Sequence, residues 1–225
     1  MLKKNELPKR KKKPWPTKEA MDQVYKKKLW GGDSFEYYSG VGSHHPSLVI
    51  PYVQTVRSFL KSFNEPLVVC DLGCGDFNVG KELVSFTKKY WAIDIVPDLM
   101  EFNKNKFKAK NLEFLCLDIA SHDWPSADVV LLRQVLQHLS NSEVECITDK
   151  LKNYCYVIVT EHLPEGNYIP NKDIISGQGI RLKKNSGINL SMPPFYMKPK
   201  EEIQLLSLES PDFRGIIVTS LYKMK

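Results

Sequence analysis

Apolar positions along the chain follow two different rhythms, and the change falls near residue 65. Upstream, Met21, Val24, Tyr25 and Leu29 recur on one helical face, which predicts a short helix over 18–30. Val49, Val53, Val56, Phe59, Leu60 and Phe63 recur at intervals of three or four and predict a second helix over 47–63. The intervening "GGDSFEYYSGVGSHHP" (31–46) reads as a loop rich in glycine and aromatic residues. Downstream, apolar residues gather into short, nearly continuous runs at 66–72, 90–95, 112–119, 127–133 and 154–162. Helical patterns at 80–89, 97–108 and 141–153 lie between them, with Pro97 suited to a first helical turn. Runs of this length, bounded by turn residues and rich in β-branched side chains, predict parallel strands buried on both faces.

Residues 163–200 break that rhythm with five prolines and four glycines. Two further strands are expected at 202–210 and 214–224, joined by "SPDF" and paired as an antiparallel hairpin. The expected architecture is α/β: a Rossmann-like, doubly wound, seven-stranded and mainly parallel sheet with a C-terminal antiparallel hairpin. Residues 1–18 are expected to form a basic disordered tail, 19–64 a helical cap with a lid loop, and 65–225 the main domain carrying the 163–200 insert.

The first apolar run ends in "VVCDLGCGDFNVG" (68–80). In a doubly wound sheet, ligands bind beyond the carboxyl ends of the strands. Gly73 and Gly75 would let backbone approach a ligand there, since no Cβ intervenes. Asp94 ends the second run, 19 residues after Gly75, where an acid can accept from ribose hydroxyls. Asp118 ends the third run and could accept from an exocyclic amine of adenine. Asp71, just before the first glycine, would oppose a cation. Both Asp71 and Asp118 have an alternative role as turn caps. A dinucleotide would want a third glycine as G-x-G-x-x-G, yet Asn78 stands in its place and Asp76 would repel a phosphate. Two carboxylates around a glycine bend suit a ligand with a positive end, such as S-adenosylmethionine.

Charge adds one feature. The net +6 is concentrated at the N-terminus: residues 1–30 carry 11 Lys/Arg against 3 Asp/Glu, net +8, and the remainder carries 21 against 23, net −2. The block is either a solvated leader or a docking element for nucleic acid or an anionic membrane. No apolar window reaches membrane-spanning length, and the charged N-terminal stretch, with no apolar h-region, is not expected to act as a secretory signal. Five cysteines, three of them inside apolar runs, point to reduced thiols in a cytoplasmic protein with neither disulfides nor a metal site.

The motifs "VVCDLGCGDFNVG", "YWAIDIVPDLMEFNK", "LEFLCLDI" and "ADVVLLRQVLQHLS" occur in order and resemble those of class I S-adenosylmethionine-dependent methyltransferases, over residues 65–160. The "YYSGVGS" leader and the "NKDIISG…PPF" insert resemble a bacterial subgroup of that family. The resemblance implies that Asp71, Gly73 and Gly75 line the amino-acid half of the cofactor. Asp94 with Ile95 would take the ribose, and Asp118 with Ile119 would bracket adenine. Arg133 and Gln134 would face the methionine part and the acceptor. His138 is either a cofactor contact or a residue packed under the sheet edge. Tyr38 would belong to a lid. No "NPPY"-type tetrad follows the fourth strand, which argues against N-methylation of adenine or glutamine. A general base is not evident. His162, Asp173 and Arg181 are candidates, as are Glu161, His44 and His45. A small-molecule acceptor leads, with RNA or protein docked by the tail, or a non-catalytic cofactor-binding module, as alternatives.

Overall fold

The computed structural model describes residues 14–32, 36–210 and 214–225. The expectations for residues 1–13 and for part of the "SPDF" turn lie outside that range. Thr17 and Lys18, assigned to the tail from sequence, open helix α1 (Thr17–Lys26) instead. Helix α2 (Pro46–Lys61) follows, with Pro46 at its first turn and the His45 side chain accepting from the Ser47 N–H.

Seven strands form one sheet: β1 (Val68–Leu72), β2 (Lys89–Asp94), β3 (Leu112–Cys116), β4 (Val129–Arg133), β5 (Tyr156–Leu163), β6 (Glu201–Glu209) and β7 (Ile216–Lys223). Their order is β3-β2-β1-β4-β5-β7-β6. The first five run parallel to one another, and β7 pairs antiparallel with both β5 and β6. Strand order reverses between β1 and β4, so the crevice above their carboxyl ends is where a ligand is expected.

Alternate residues of the central strands feed two separate cores. Val69, Tyr90, Val129, Leu131 and Ile158 pack on the α2 side with Tyr52, Val56 and Leu60. Cys70, Leu72, Ile93, Val130 and Leu132 pack on the other side with Val144, Ile147 and Leu151. That second set belongs to helix α4 (Asn141–Leu151), which begins with a reciprocal capping box between Ser140 and Glu143. Helix α3 (Pro97–Lys106) covers β2 and β3.

The helix expected over 80–89 is absent; two 3₁₀ turns, Gly80–Glu82 and Val84–Phe86, stand there. The Asn111 side-chain amide donates to the carbonyls of Val84 and Thr87, so these carbonyls are tied to the β3 side of the fold and no helix is propagated. Phe77 is fully buried just upstream, and a Cβ on Gly80 would stand 2.4 Å from its ring, which fixes a tight turn. The 163–200 insert has little regular structure and is pinned by side chains. Asn171 exchanges hydrogen bonds with the Asn189 backbone and donates to the Pro193 carbonyl. Among the described residues, no helix is long and apolar enough to cross a membrane.

Candidate functional site

After β1 the chain turns through Gly73 (φ +74°) and Gly75 (φ +56°). A Cβ on Gly73 would lie 2.5 Å from Val135, and one on Gly75 would lie 2.4 Å from Ser39 Oγ. Both positions therefore need glycine for the backbone angle and for space. Asp94, at the end of β2, holds the bend from beneath: its Oδ2 accepts from the Gly75 N–H at 3.1 Å and its Oδ1 from the Val96 N–H at 3.2 Å. Burial pushes the Asp94 carboxyl up, and those backbone N–H groups oppose the shift.

Over this bend opens a cavity of about 890 Å³. Small-molecule sites span about 300–1,000 Å³, so this volume takes a cofactor together with a small acceptor. Gly73, Gly75, Asp94, Ile95, Asp118 and Ile119 line it from the ends of β1, β2 and β3. Arg133, Gln134 and His138 line it from the end of β4, and His162, Glu165, Lys183 and Arg214 from the end of β5, the insert and the entry to β7. Acid and apolar groups on a glycine cradle fit an adenosyl ligand: carboxylates for hydroxyl and amine donors, isoleucines for the faces of a base. Asp118 already caps its own turn, accepting from the Ala120 N–H at 2.9 Å and from Ser121 Oγ at 2.9 Å, and it still borders the cavity.

The leader is folded down onto the glycine bend. Asp76, only 6% exposed, accepts from the Ser39 N–H at 2.7 Å, from the Asn78 N–H at 3.1 Å and from His44 Nε2 at 2.6 Å. The Asp76 N–H donates in return to Ser39 Oγ, 2.8 Å away. Asn78 Nδ2 donates to the Ser43 carbonyl at 2.8 Å, and Arg133 donates to the Gly42 carbonyl at 2.6 Å. Sequence reasoning placed Asp76 only as an anti-phosphate feature and missed this role. The usable signal was the pairing of a buried-motif acid with the Ser/Gly/His composition of "SGVGSHH". From the other side α1 contributes Met21 and Tyr25, and Trp30 packs on Tyr25 and His138 with centroids 5.4 and 5.1 Å apart.

Deeper in, the polar groups form a relay of fixed contacts. Gln137 accepts from the His162 N–H at 3.2 Å, and its amide nitrogen lies 3.3 Å from His138 Nε2. His138 Nδ1 lies 3.2 Å from the Gly177 carbonyl. Burial lowers the His138 pKa to about 4, so its ring is neutral and serves as an aromatic wall. Burial also lowers that of His162, against a hydrogen bond to the Arg214 backbone. The neighbouring Glu161 points away from the cavity: one oxygen accepts from the Leu136 N–H at 3.1 Å, and burial raises its pKa to about 8.

Not every candidate from the sequence reaches the cavity. Arg181 is 1% exposed and spends its guanidinium on the Leu136 and Leu139 carbonyls and on Asn141 Oδ1, at 2.7–2.9 Å. Asp173 accepts from the Asn141 and Ile174 N–H groups and also stays outside the lining. These two residues anchor the insert to the start of α4. Asp71 faces a neighbouring pocket of about 30 Å³ that it shares with Tyr52, Tyr90 and Arg133. There it accepts from the Tyr90 hydroxyl at 2.9 Å, and burial raises its pKa to about 7. Tyr38 stacks on His44 at 4.3 Å and does not line the cavity. His45 caps α2.

Residues 69–155 match the family model described as a methyltransferase domain. The comparison with curated proteins gives no match. Among solved structures, the N-methyltransferase NodS from Bradyrhizobium japonicum WM9, in complex with S-adenosyl-L-homocysteine, superposes with a TM-score of 0.65 at 12% identity, covering 92% of this chain and 100% of that one. The N-terminal domain of EvdMO1 with S-adenosylhomocysteine bound gives 0.60 at 13% identity, over 91% of this chain and 95% of that one. The CMeT domain of the citrinin polyketide synthase gives 0.59 at 13%, over 82% and 55%. At such identities these structures speak for the fold, and the family match speaks for the central residues. Residues 69–155 thus carry a methyltransferase domain, and the seven-stranded sheet around it has the fold of the S-adenosylhomocysteine-bound class I methyltransferase structures.

Proposed function

We propose that this methyltransferase acts on a small-molecule acceptor seated at the His162 end of the cavity. The observation that carries the reading is the shape of the site: one continuous space of about 890 Å³ runs from the glycine bend to the insert, beneath α1 and the leader. A ligand that must fit beneath such cover is small.

S-adenosylmethionine supplies an activated methyl group on a sulfonium centre. The protein's own residues then position and enclose. In this reading Asp94 and Ile95 hold the ribose, Asp118 and Ile119 border adenine, and Gly73 and Gly75 admit the amino-acid portion. Asp71 acts on that portion's ammonium from the adjoining pocket. Arg133 and Gln134 sit at the join between cofactor and acceptor, and His138 forms the apolar floor. Tyr38 acts on the lid indirectly, by stacking on the His44 that Asp76 holds. Orienting two reactants in this way can supply roughly 7–11 kcal/mol of a bimolecular barrier. His162 is placed to receive the acceptor's proton where the nucleophile carries one. Its lowered pKa keeps the ring neutral near pH 7, the form that accepts a proton.

The test is methyl transfer from labelled S-adenosylmethionine into a cell extract fractionated by mass. The reading expects label in the low-mass fraction. Label confined to RNA or protein would contradict it and favour docking by the basic N-terminus.

A further inference from the structure

The cavity lining carries charges of both signs. Asp94 accepts from the Gly75 N–H at the glycine bend, and Asp118, which follows the adjacent strand β3, lines the same cavity. Glu143, also in the lining, is consumed by Thr17, Ser140 and Ser176. Lys183 and Arg214 line it as well, on segments that both meet the end of β5: the insert reaches Leu163 and Pro164 at Gly187, and the entry to β7 reaches Leu163 and His162 at Gly215. Among the described residues, neither the Lys183 nor the Arg214 side chain has an ion pair or hydrogen bond. The one carboxylate beside them, Glu165, accepts from the Gly215 N–H at 3.2 Å.

Local structure puts both cations there. Lys183 lies on the 3₁₀ turn Arg181–Lys184, which the buried Arg181 fixes to the Leu136 and Leu139 carbonyls. The next residue, Lys184, turns the other way and donates to the Asp173 carbonyl. Arg214 precedes Gly215, whose φ of +114° bends the chain onto the end of β5. A Cβ at Gly215 would lie 2.4 Å from the Leu163 carbonyl and 3.0 Å from His162 Nε2. The glycine thus lets the entry to β7 close against His162 and hold Arg214 at the rim.

Resting on the methyltransferase reading above, we propose that the acceptor carries an anionic group, a phosphate or a carboxylate, and that Lys183 and Arg214 receive it at the mouth of the cavity. A guanidinium and an ammonium without partners among the described residues offer charge-assisted hydrogen bonds to such oxygens.

The experiment titrates the full-length protein, saturated with S-adenosylhomocysteine, with inorganic phosphate and separately with acetate. Binding is followed by amide chemical shifts at Asn185 and Gly215, which separates this site from the basic N-terminus. At least one anion is expected to bind saturably, and the relative response of the two tells phosphate from carboxylate. In Lys183→Ala/Arg214→Ala the affinity should drop roughly tenfold or more, since tenfold corresponds to about 1.4 kcal/mol. Lys183→Glu should abolish it. S-adenosylhomocysteine should bind the variants as it binds the wild type, which verifies their fold. Equal anion affinity in the double variant, or no saturable binding of either anion, overturns the proposal. Failure of the wild type to bind S-adenosylhomocysteine would instead overturn the cofactor reading.

Discussion

Replacing Asp76 with alanine should release the leader from the glycine bend. Asp76 accepts three hydrogen bonds, and two of the donors, Ser39 N–H and His44 Nε2, belong to the leader. Hydrogen bonds to a charged group contribute about 1.5–3 kcal/mol each, so the closed leader loses roughly 3–6 kcal/mol. The Asn78–Ser43 and Arg133–Gly42 contacts remain and hold part of the closure. If the closed leader belongs to the cofactor site, S-adenosylhomocysteine affinity falls by about a hundredfold, the lower end of that range. Asp76→Asn keeps one acceptor oxygen for the Ser39 N–H but loses the charge, and should weaken binding by about tenfold. Calorimetric titration gives the affinities, and amide hydrogen exchange over 38–45 reports closure independently. Wild-type affinity together with wild-type protection in Asp76→Ala would refute the clamp. Lost protection with unchanged affinity would show that the leader closes over the acceptor end alone.

Other consequences follow from single groups. Asp94→Ala should weaken S-adenosylhomocysteine binding by more than about tenfold, since it removes both the proposed ribose acceptor and the brace of the Gly75 N–H, and an unchanged isotherm would contradict the assignment. Arg181→Ala should cost about 3–5 kcal/mol by leaving buried carbonyls unpaired, visible as a fall in Tm of about 10 °C; a Tm within a degree or so of wild type would show that the insert is held otherwise. Glu161 has a folded pKa near 8, above its ordinary 4.5, so its contribution is fully present below pH 4.5 and is lost as pH rises toward 8. Denaturant titrations should show wild-type stability falling by up to about 1.4 kcal/mol per pH unit from this group, with the slope reduced in Glu161→Gln; parallel profiles would refute it.

The sheet was legible because its strands are buried on both faces, and such strands appear as apolar runs whatever their neighbours do. The acids that close the second and third runs were legible for a related reason: Asp94 is the last residue of β2 and Asp118 follows β3, and both line the cavity. The crossover at 80–88 was not, since its apolar spacing is helical and the Asn111 side chain that intercepts its carbonyls comes from more than twenty residues away. Asp76 was missed on the same ground: its partners lie 32 and 37 residues upstream, beyond any local pattern. Arg181 shows the converse. A charge in a Pro- and Gly-rich insert reads as chemistry, yet here it replaces the regular hydrogen bonding that the insert lacks. His162 and Arg181 could not be ranked from sequence. The turn at Gly215 places one at the cavity, and the α4 entry buries the other.

A structure determined with S-adenosylhomocysteine bound tests the central claim most directly. Its adenosine should lie over Gly73–Gly75, with the ribose hydroxyls within hydrogen-bonding distance of Asp94 and the homocysteine sulfur facing the His162 end of the cavity. Ligand density elsewhere on the protein, or a ribose turned away from Asp94, would contradict the account.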